Sequence, residues 1–366
     1  MKHAISRWVW SVLGGLGTAL LLASHARAVD SPEEASAPPP PGKRIDIGGY
    51  RLHLWSTGKG NPTVVLEAGG GGFSLHWSLV QPRVAQFTRV CSYDRAGMAW
   101  SDPGPAPRTM KQEVYELHRL LHKAGVKGPY VLVGQSYGGL LARLYAHHYR
   151  REVAGMVLVD STDPDSTLGF QGQMVRVREK AKGTPIPPVQ TMKSSPPQPL
   201  SDEQRKQYEA YRKYLGTPRI SPPFDQLSPE LQKQYVWASF HPQPTVASPD
   251  PELWPDELQE MYLETQRQPY PLGDIPLIVL AQGGKKDPAP RGFPEAEWQR
   301  LSEEKQRLKE AQARLSRNGK FIVAEQSGHS IHLDQPELVT DAIRQVVEAV
   351  RHRTRLVPPS TERRGE

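Results

Sequence analysis

The sequence is poor in cysteine: Cys91 is the only one among 366 residues, so no disulfide can form within the chain. A chain of this length can bury enough apolar surface to fold without disulfides. Cys91 lies in the strand-like run TRVCSYD, where we expect it to be a small buried core residue. The chain also lacks a block of basic residues interleaved with aromatics, which argues against nucleic-acid binding.

Long apolar runs are scarce as well, and the clearest one extends from Trp8 to Ala23, after the basic residues Lys2 and Arg7. It is short and contains glycines, whereas a membrane span needs about 20 apolar residues. The A-x-A pattern at Ala26–Ala28 predicts a secretory signal peptide over residues 1–28. We therefore expect an exported protein, periplasmic or secreted, that meets the membrane only through this segment. A retained anchor is the alternative.

Proline, serine and glutamate dominate residues 29–43, which predicts a stiff, disordered linker. The run KRIDIGGYRLHLWSTG then predicts a β-hairpin. Beyond it, short apolar runs rich in β-branched residues alternate with segments of helical period, which predicts an α/β fold with a mostly parallel central sheet flanked by helices. The strand candidates are 62–68, 88–94, 130–134, 153–160, 275–281 and 320–325, and the helix candidates are 75–86, 110–124, 137–149, 295–316 and 336–352.

Residues 163–272 interrupt this alternation, because they are rich in proline, glutamine and charge and contain no buried strand candidate. A structureless loop of this length is not expected in a compact domain. We therefore predict an inserted helical lid between two parts of the core, residues 44–162 and 273–352, followed by a tail, 353–366. The large apolar residues of the insertion either face a substrate or form its own small core: Trp237, Phe240, Trp254, Met261 and Tyr262.

The segment VLVGQSYGGL places Ser136 in a G-x-S-x-G pattern between a strand candidate and a helix candidate. This is the context of a nucleophile elbow, a tight turn that presents the hydroxyl at a helix N-terminus, where backbone N–H groups favour negative charge. A serine nucleophile needs a general base, and in this architecture the histidine comes last along the chain. The run KFIVAEQSGHSIHLD supplies His329 directly after a strand candidate, with His332 as the alternative.

The chain resembles the α/β-hydrolase fold family over about residues 44–352, through five motifs in the family's order: LEAGGGGFSLHW, CSYDRAGMAWSD, VGQSYGG, VLVDS and SGHSIHLDQPE. The resemblance implies an esterase-like serine hydrolase in which Asp94 and Arg95 are structural. It also implies an oxyanion hole made by the backbone N–H groups of Tyr137 and Gly70. Family members often carry His-Gly near Gly70, and the absence of this histidine leaves the anchoring of the loop open.

The resemblance places the triad acid after either of two strands. Asp160 ends the run VAGMVLVD, and Asp287 follows the run IPLIVLA. An aspartate such as Asp160 could simply cap its strand, and Asp287 lies rather far from its strand beside two lysines. Both stay candidates, together with two further aspartates nearby, Asp163 and Asp165.

We therefore expect hydrolysis of a carboxylic ester of a small or medium organic substrate through an acyl-enzyme. No metal or organic cofactor is expected, because nothing in the sequence shows a metal-ligand cluster. Amidase, aminopeptidase or C–C bond hydrolase activity would use the same triad. A non-catalytic binding protein with the same fold is an alternative from another class. Serine at the elbow argues against dehalogenase and epoxide hydrolase chemistry, for which the resembled family uses aspartate there.

Overall fold

The structure is a computed structural model that describes residues 37–194, 219–239, 249–284 and 293–356, with isolated positions between 202 and 213. The predicted signal peptide, Phe240 and Asp287 lie outside the described residues, as does most of the tail. Among the helices of the described ranges, none combines the length and apolar character needed to cross a membrane.

An eight-stranded sheet forms the centre of the domain, in the spatial order β1-β2-β4-β3-β5-β6-β9-β10. All neighbours from β4 to β10 pair in parallel, whereas β1–β2 and β2–β4 pair antiparallel. The predicted mostly parallel sheet and the N-terminal hairpin are thus confirmed. The strands are β1 (Lys43–Asp46), β2 (Arg51–Thr57), β3 (Thr63–Glu67), β4 (Val90–Tyr93), β5 (Tyr130–Gln135), β6 (Val153–Val159), β9 (Leu277–Gln282) and β10 (Gly319–Ala324); β7 (Thr167–Phe170) and β8 (Gln173–Arg176) pair separately.

Helices cover both faces of the sheet, so β3, β4 and β5 are buried throughout and Cys91 is a buried core residue in β4. The helices are α1 (Gln81–Val84), α2 (Met110–Lys123), α3 (Tyr137–His148), α4 (Pro229–Ser239), α5 (Trp254–Arg267), α6 (Glu295–Gln312), α7 (Ile331–Asp334) and α8 (Pro336–His352). The helix predicted over 75–86 is divided into a 3-10 turn, Ser74–Trp77, and α1. Pro82 explains the break, because it has no N–H to continue a helix and is tolerated only in a first turn.

The interval 163–272 begins with a β-hairpin that the sequence analysis did not predict. Its strands β7 and β8 are joined through Gln171 and Gly172, both at positive φ, as two-residue hairpin turns require. Three of the large apolar residues of the interval pack against other side chains of the protein. Trp237 packs on Trp100 of the core at 5.2 Å, and Trp254 packs on Phe170 of the interval itself at 6.0 Å, both measured between ring centroids. Met261 is buried in the main core. Tyr262 lies under the guanidinium of Arg178.

Residues 37–41, the last part of the predicted linker, are described by the structure and contact the domain. The carbonyls of Pro38, Pro39 and Pro41 accept hydrogen bonds of 2.8, 2.9 and 2.8 Å, in that order, from Trp100, Gln234 and His53. Proline carbonyls have no partner within their own segment, because an extended proline-rich chain forms no internal hydrogen bonds. Side chains of the domain supply the donors, so contacts with the domain extend to the N-terminal side of β1.

Candidate active site

Ser136 lies between β5 and α3 with φ 52° and ψ −120°, in the left-handed region that costs an L-residue backbone strain. Backbone hydrogen bonds hold it there. Its N–H donates to the Val159 carbonyl at 3.1 Å, and its own carbonyl accepts from the N–H groups of Gly139 and Thr162. The turn therefore presents the Ser136 side chain at the N-terminus of α3, as the G-x-S-x-G pattern predicts.

The glycines of this pattern allow three backbone segments, from β5, α3 and β3, to pack closely at the turn. A Cβ on Gly134 would lie 2.4 Å from the carbonyl oxygen of Gly138, and one on Gly138 would lie 2.4 Å from the carbonyl oxygen of Glu67 in β3. Real Cβ atoms essentially never approach backbone that closely. Glycine is therefore required at both positions by packing, apart from any chemistry of Ser136.

The structure brings His329 together with Asp160: His329 Nδ1 lies 2.6 Å from Asp160 Oδ2. Asp160 directly follows β6 and is buried, whereas the His329 side chain is one-quarter exposed. The further aspartates have other partners, since Asp163 pairs with Arg143 at 3.1 Å and Asp165 with Arg178 at 2.5 Å.

The alternative histidine, His332, has a different environment. It is buried against the ring of Trp77, with ring centroids 4.8 Å apart. Its Nδ1 has no hydrogen-bond partner among the described residues. Burial lowers the pKa of His332 to about 3, so a proton is disfavoured there at neutral pH. Its surroundings are those of a packing residue, and within the described ranges no hydrogen bond joins its ring to a carboxylate.

The second oxygen of Asp160 is also occupied. Asp160 Oδ1 accepts a hydrogen bond from the Gln282 N–H at 2.9 Å and contacts Lys309 Nζ at 2.5 Å. Burial alone would raise the pKa of Asp160, but the Lys309 ammonium and the His329 hydrogen bond outweigh it and hold that pKa well below its ordinary value. Sequence reasoning missed Lys309, which lies on α6 and is buried.

Arg95 anchors the glycine-rich loop that follows β3. Its guanidinium donates to the carbonyls of Ala68 and Gly69 at 2.6 and 2.5 Å, and pairs with Glu67 at 2.6 Å. All of these contacts are buried. Arg95, which lies just after β4, thereby anchors the loop in the absence of the histidine that family members often carry there.

The loop and the start of α3 lie side by side, since a Cβ built on Gly70 would be 3.8 Å from Tyr137 Cβ. Tyr137 is the first residue of α3, so its N–H has no acceptor within the helix. The two predicted oxyanion donors are therefore neighbours next to Ser136. The Tyr137 hydroxyl points elsewhere and donates to Glu113 on α2 at 2.9 Å.

Gln135 links the elbow to the histidine. Its side-chain Nε2 donates to the His329 carbonyl at 3.3 Å and lies 3.4 Å from His329 Nε2. Among the described residues, no hydrogen bond joins Ser136 Oγ to His329 Nε2. Catalytic hydrogen bonds are often long in ligand-free sites and tighten when substrate binds.

The sequence matches the family model of the alpha/beta hydrolase family over residues 64–342. The chain belongs to the alpha/beta hydrolase family. This agrees with the sheet order, the elbow and the order Ser136, Asp160, His329 along the chain.

Individual relatives of this alpha/beta hydrolase differ in how much they share with it. The uncharacterized protein YqjL of Bacillus subtilis (strain 168) is 28% identical over 305 residues, which is 83% of this chain and 91% of YqjL. The probable transporter efuK of Hormonema carpetanum is 38% identical over 125 residues, but the match spans only 18% of that protein and 32% of this chain. The structure of a probable hydrolytic enzyme from Pseudomonas aeruginosa PAO1 superposes with a TM-score of 0.52 at 20% identity, covering 89% of this chain and 95% of that one. At this identity the likeness shows the fold alone.

Proposed function

We propose that this alpha/beta hydrolase is a serine hydrolase that cleaves carboxylic esters of small or medium organic substrates through an acyl-enzyme. The observation that carries the proposal is the contact of the buried Asp160 with the partly exposed His329, 2.6 Å apart, next to the strained turn that presents Ser136. A carboxylate on Nδ1 fixes the histidine tautomer that leaves Nε2 free to accept a proton. Asp160 is therefore the proposed triad acid.

In the proposed reaction, Ser136 Oγ attacks the carbonyl carbon while His329 accepts the hydroxyl proton, and Asp160 stabilises the resulting imidazolium. The N–H groups of Gly70 and Tyr137 bind the oxyanion, and each such donor contributes about 3–4 kcal/mol in the transition state. His329 then gives its proton to the leaving alcohol as the ester bond breaks. Water attacks the acyl-enzyme, His329 takes the proton of that water, and the acid leaves as Ser136 regains its hydrogen.

The segment 163–272 is proposed to cover the site as a lid. Support comes from α4, whose Tyr235 lies 5.6 Å from Phe73 between ring centroids. Phe73 directly follows the glycine-rich loop, and His76 and Phe224 pack around the same tyrosine. These buried contacts pack α4 against the residue that follows the oxyanion loop, next to the proposed site.

Export remains part of the proposal and is tested separately. Residues 1–28 carry the pattern of a signal peptide. N-terminal sequencing of the mature protein from its native host should begin at Val29. A mature chain that still begins at Met1 would favour the retained anchor.

Labelling of the full-length mature protein with a fluorophosphonate, followed by peptide mapping, tests the nucleophile. Wild type should be labelled at Ser136, and both Ser136→Ala and His329→Ala should abolish labelling. His332→Leu is the matched control and should keep it, because His332 is a packing residue. A folded wild type that does not label would favour the non-catalytic binding protein.

A panel of matched esters, anilides and C–C bond substrates with the same acyl group then separates the activities that one triad can serve. We expect the ester to be cleaved fastest. Labelling of Ser136 together with faster cleavage of the amide or of a C–C bond would keep the serine hydrolase and reject the ester as its substrate.

A further inference from the structure

We propose that His118, His122 and Glu152 form a binding site for one divalent transition-metal ion, with Zn²⁺ as the best-fitting ion. The site is independent of the proposed hydrolase function. Glu152 lies just beyond the C-terminal end of α3, whereas Ser136 precedes its first residue. The 12 residues of α3 separate the two by about 18 Å, at 1.5 Å of rise per residue.

Two elements bring the three side chains together. His118 and His122 are four residues apart on α2, so they share one face of the helix, and their ring centroids are 4.3 Å apart. Glu152 ends the 3-10 turn Arg150–Glu152 that leads into β6. One ligand atom from each residue can be chosen so that all three lie within 4.8 Å of one another.

The distances approach those of a tetrahedral zinc site. Zinc binds imidazole nitrogen and carboxylate oxygen at about 2.0–2.2 Å, which separates the ligand atoms by about 3.3–3.5 Å. His118 Nδ1 lies 3.3 Å from Glu152 Oε2, and His122 Nε2 lies 3.2 Å from Glu152 Oε1. The two distances involve different oxygens of Glu152, so an ion held by all three residues requires the ligand atoms to move closer together than their present 4.8 Å limit. The exposed His122 side chain has room for such a movement. Two imidazoles and one carboxylate leave the fourth position of the ion to water.

Neighbouring side chains hold two of the ligands in place. The Tyr145 hydroxyl donates to Glu152 Oε2 at 2.6 Å. The Tyr149 ring stacks on His118 at 3.9 Å with an interplanar angle of 4°. Such outer contacts orient metal ligands and are a regular part of metal sites. The His118 side chain is 22% exposed and that of His122 is 56% exposed, so an ion can reach the site from solvent.

Hydrogen bonds from the two imidazoles to the Glu152 carboxylate are the competing explanation of the cluster, and a zinc titration separates them from a metal site. A bound ion would join α2 to the connection between α3 and β6.

Zinc titration of the untagged, chelator-treated mature protein at pH 7.5 tests this inference. Isothermal titration calorimetry should show one Zn²⁺ per chain with micromolar affinity, and excess Zn²⁺ should raise the melting temperature by about 5 °C. His122→Ala and Glu152→Gln should each weaken binding at least tenfold.

His352→Ala is the matched control. His352 also lies four residues from an acidic partner, Glu348, on an exposed helix face, but no third ligand joins this pair among the described residues. The His352→Ala variant should bind zinc with the same affinity as wild type. Absence of saturable binding to wild type, or equal binding by the His122→Ala variant, would overturn the proposal. Neither readout depends on hydrolase activity.

Discussion

Lys309 and His329 contact opposite oxygens of one buried carboxylate: Lys309 Nζ lies 2.5 Å from Asp160 Oδ1, and His329 Nδ1 lies 2.6 Å from Asp160 Oδ2. The ammonium therefore shares the negative charge that would otherwise act on the imidazole alone. Lys309 and the His329 hydrogen bond together hold the pKa of Asp160 well below its ordinary value. Lys309 is a positioning residue in this arrangement, because it acts on His329 only through Asp160.

Replacing Lys309 with Met should change the pH dependence of the proposed hydrolase. Lys309 helps to hold the pKa of Asp160 below its ordinary value, so its removal raises the pKa of this buried carboxyl and the acidic limb of the kcat/KM profile should move to higher pH. The profile is measured with one ester substrate between pH 5 and 9. Lys305→Met on the same helix is the control and should leave the limb in place. An unchanged profile for Lys309→Met would refute the electrostatic role, whatever its stability.

Replacing Asp160 with Asn should lower kcat by about 10³–10⁴-fold with the fold intact, because the amide stabilises the wrong histidine tautomer. Asp287→Asn, by contrast, should stay within a few-fold of wild type. Kinetics with a chromogenic ester and circular dichroism of both variants provide the comparison. The opposite ranking would transfer the role of triad acid to Asp287.

Replacing Arg95 with Lys should loosen the oxyanion loop while keeping the charge opposite Glu67. Lysine cannot reproduce the bidentate reach of arginine to the carbonyls of Ala68 and Gly69. We expect kcat to fall at least tenfold while KM changes little, because the oxyanion donors act mainly in the transition state. A rise in KM alone would assign Arg95 to substrate binding instead.

Gly138→Ala and Gly70→Ala compare the effect of an added Cβ on stability at two glycines near Ser136. A Cβ on Gly138 would lie 2.4 Å from the Glu67 carbonyl, whereas one on Gly70 would meet nothing closer than Tyr137 Cβ at 3.8 Å. Gly138→Ala should therefore destabilise the protein by about 1–3 kcal/mol, the usual cost of overpacking. Gly70→Ala should unfold like wild type in a denaturant titration. Equal stability of the two variants would show that the elbow tolerates a side chain at Gly138.

The elbow could be predicted from sequence because its requirements are local. Gly134, Ser136 and Gly138 lie within five residues, and strand and helix patterns flank them. The choice between Asp160 and Asp287 could not be made in this way, since both follow strands that end at the same edge of the sheet. The contacts of Asp160 with His329 and with the Gln282 N–H come from tertiary packing.

Lys309 also could not be identified from the sequence, because its role depends on tertiary packing. It belongs to the run EEKQRLKEAQARL, whose charge pattern is typical of a solvated helix face, and only the packing of α6 buries this one lysine. The pair of His118 and His122 was not predicted from the sequence, although the two residues lie four positions apart on a predicted helix. Glu152 is 30 residues beyond His122 and carries no local pattern that joins it to the pair. The hairpin β7–β8 lacks the alternating apolar pattern that marks a half-buried strand.

The backbone angles of Ser136 make its chemical labelling a probe of the fraction of folded molecules. An unfolded chain rarely holds a serine at φ 52° and ψ −120°, and it has neither the histidine nor the oxyanion donors at hand. A brief pulse of fluorophosphonate in increasing urea therefore reports the fraction of chains in which the junction of β5 and α3 is intact. Comparison with far-UV circular dichroism would reveal whether that junction opens alone or only when the whole domain unfolds.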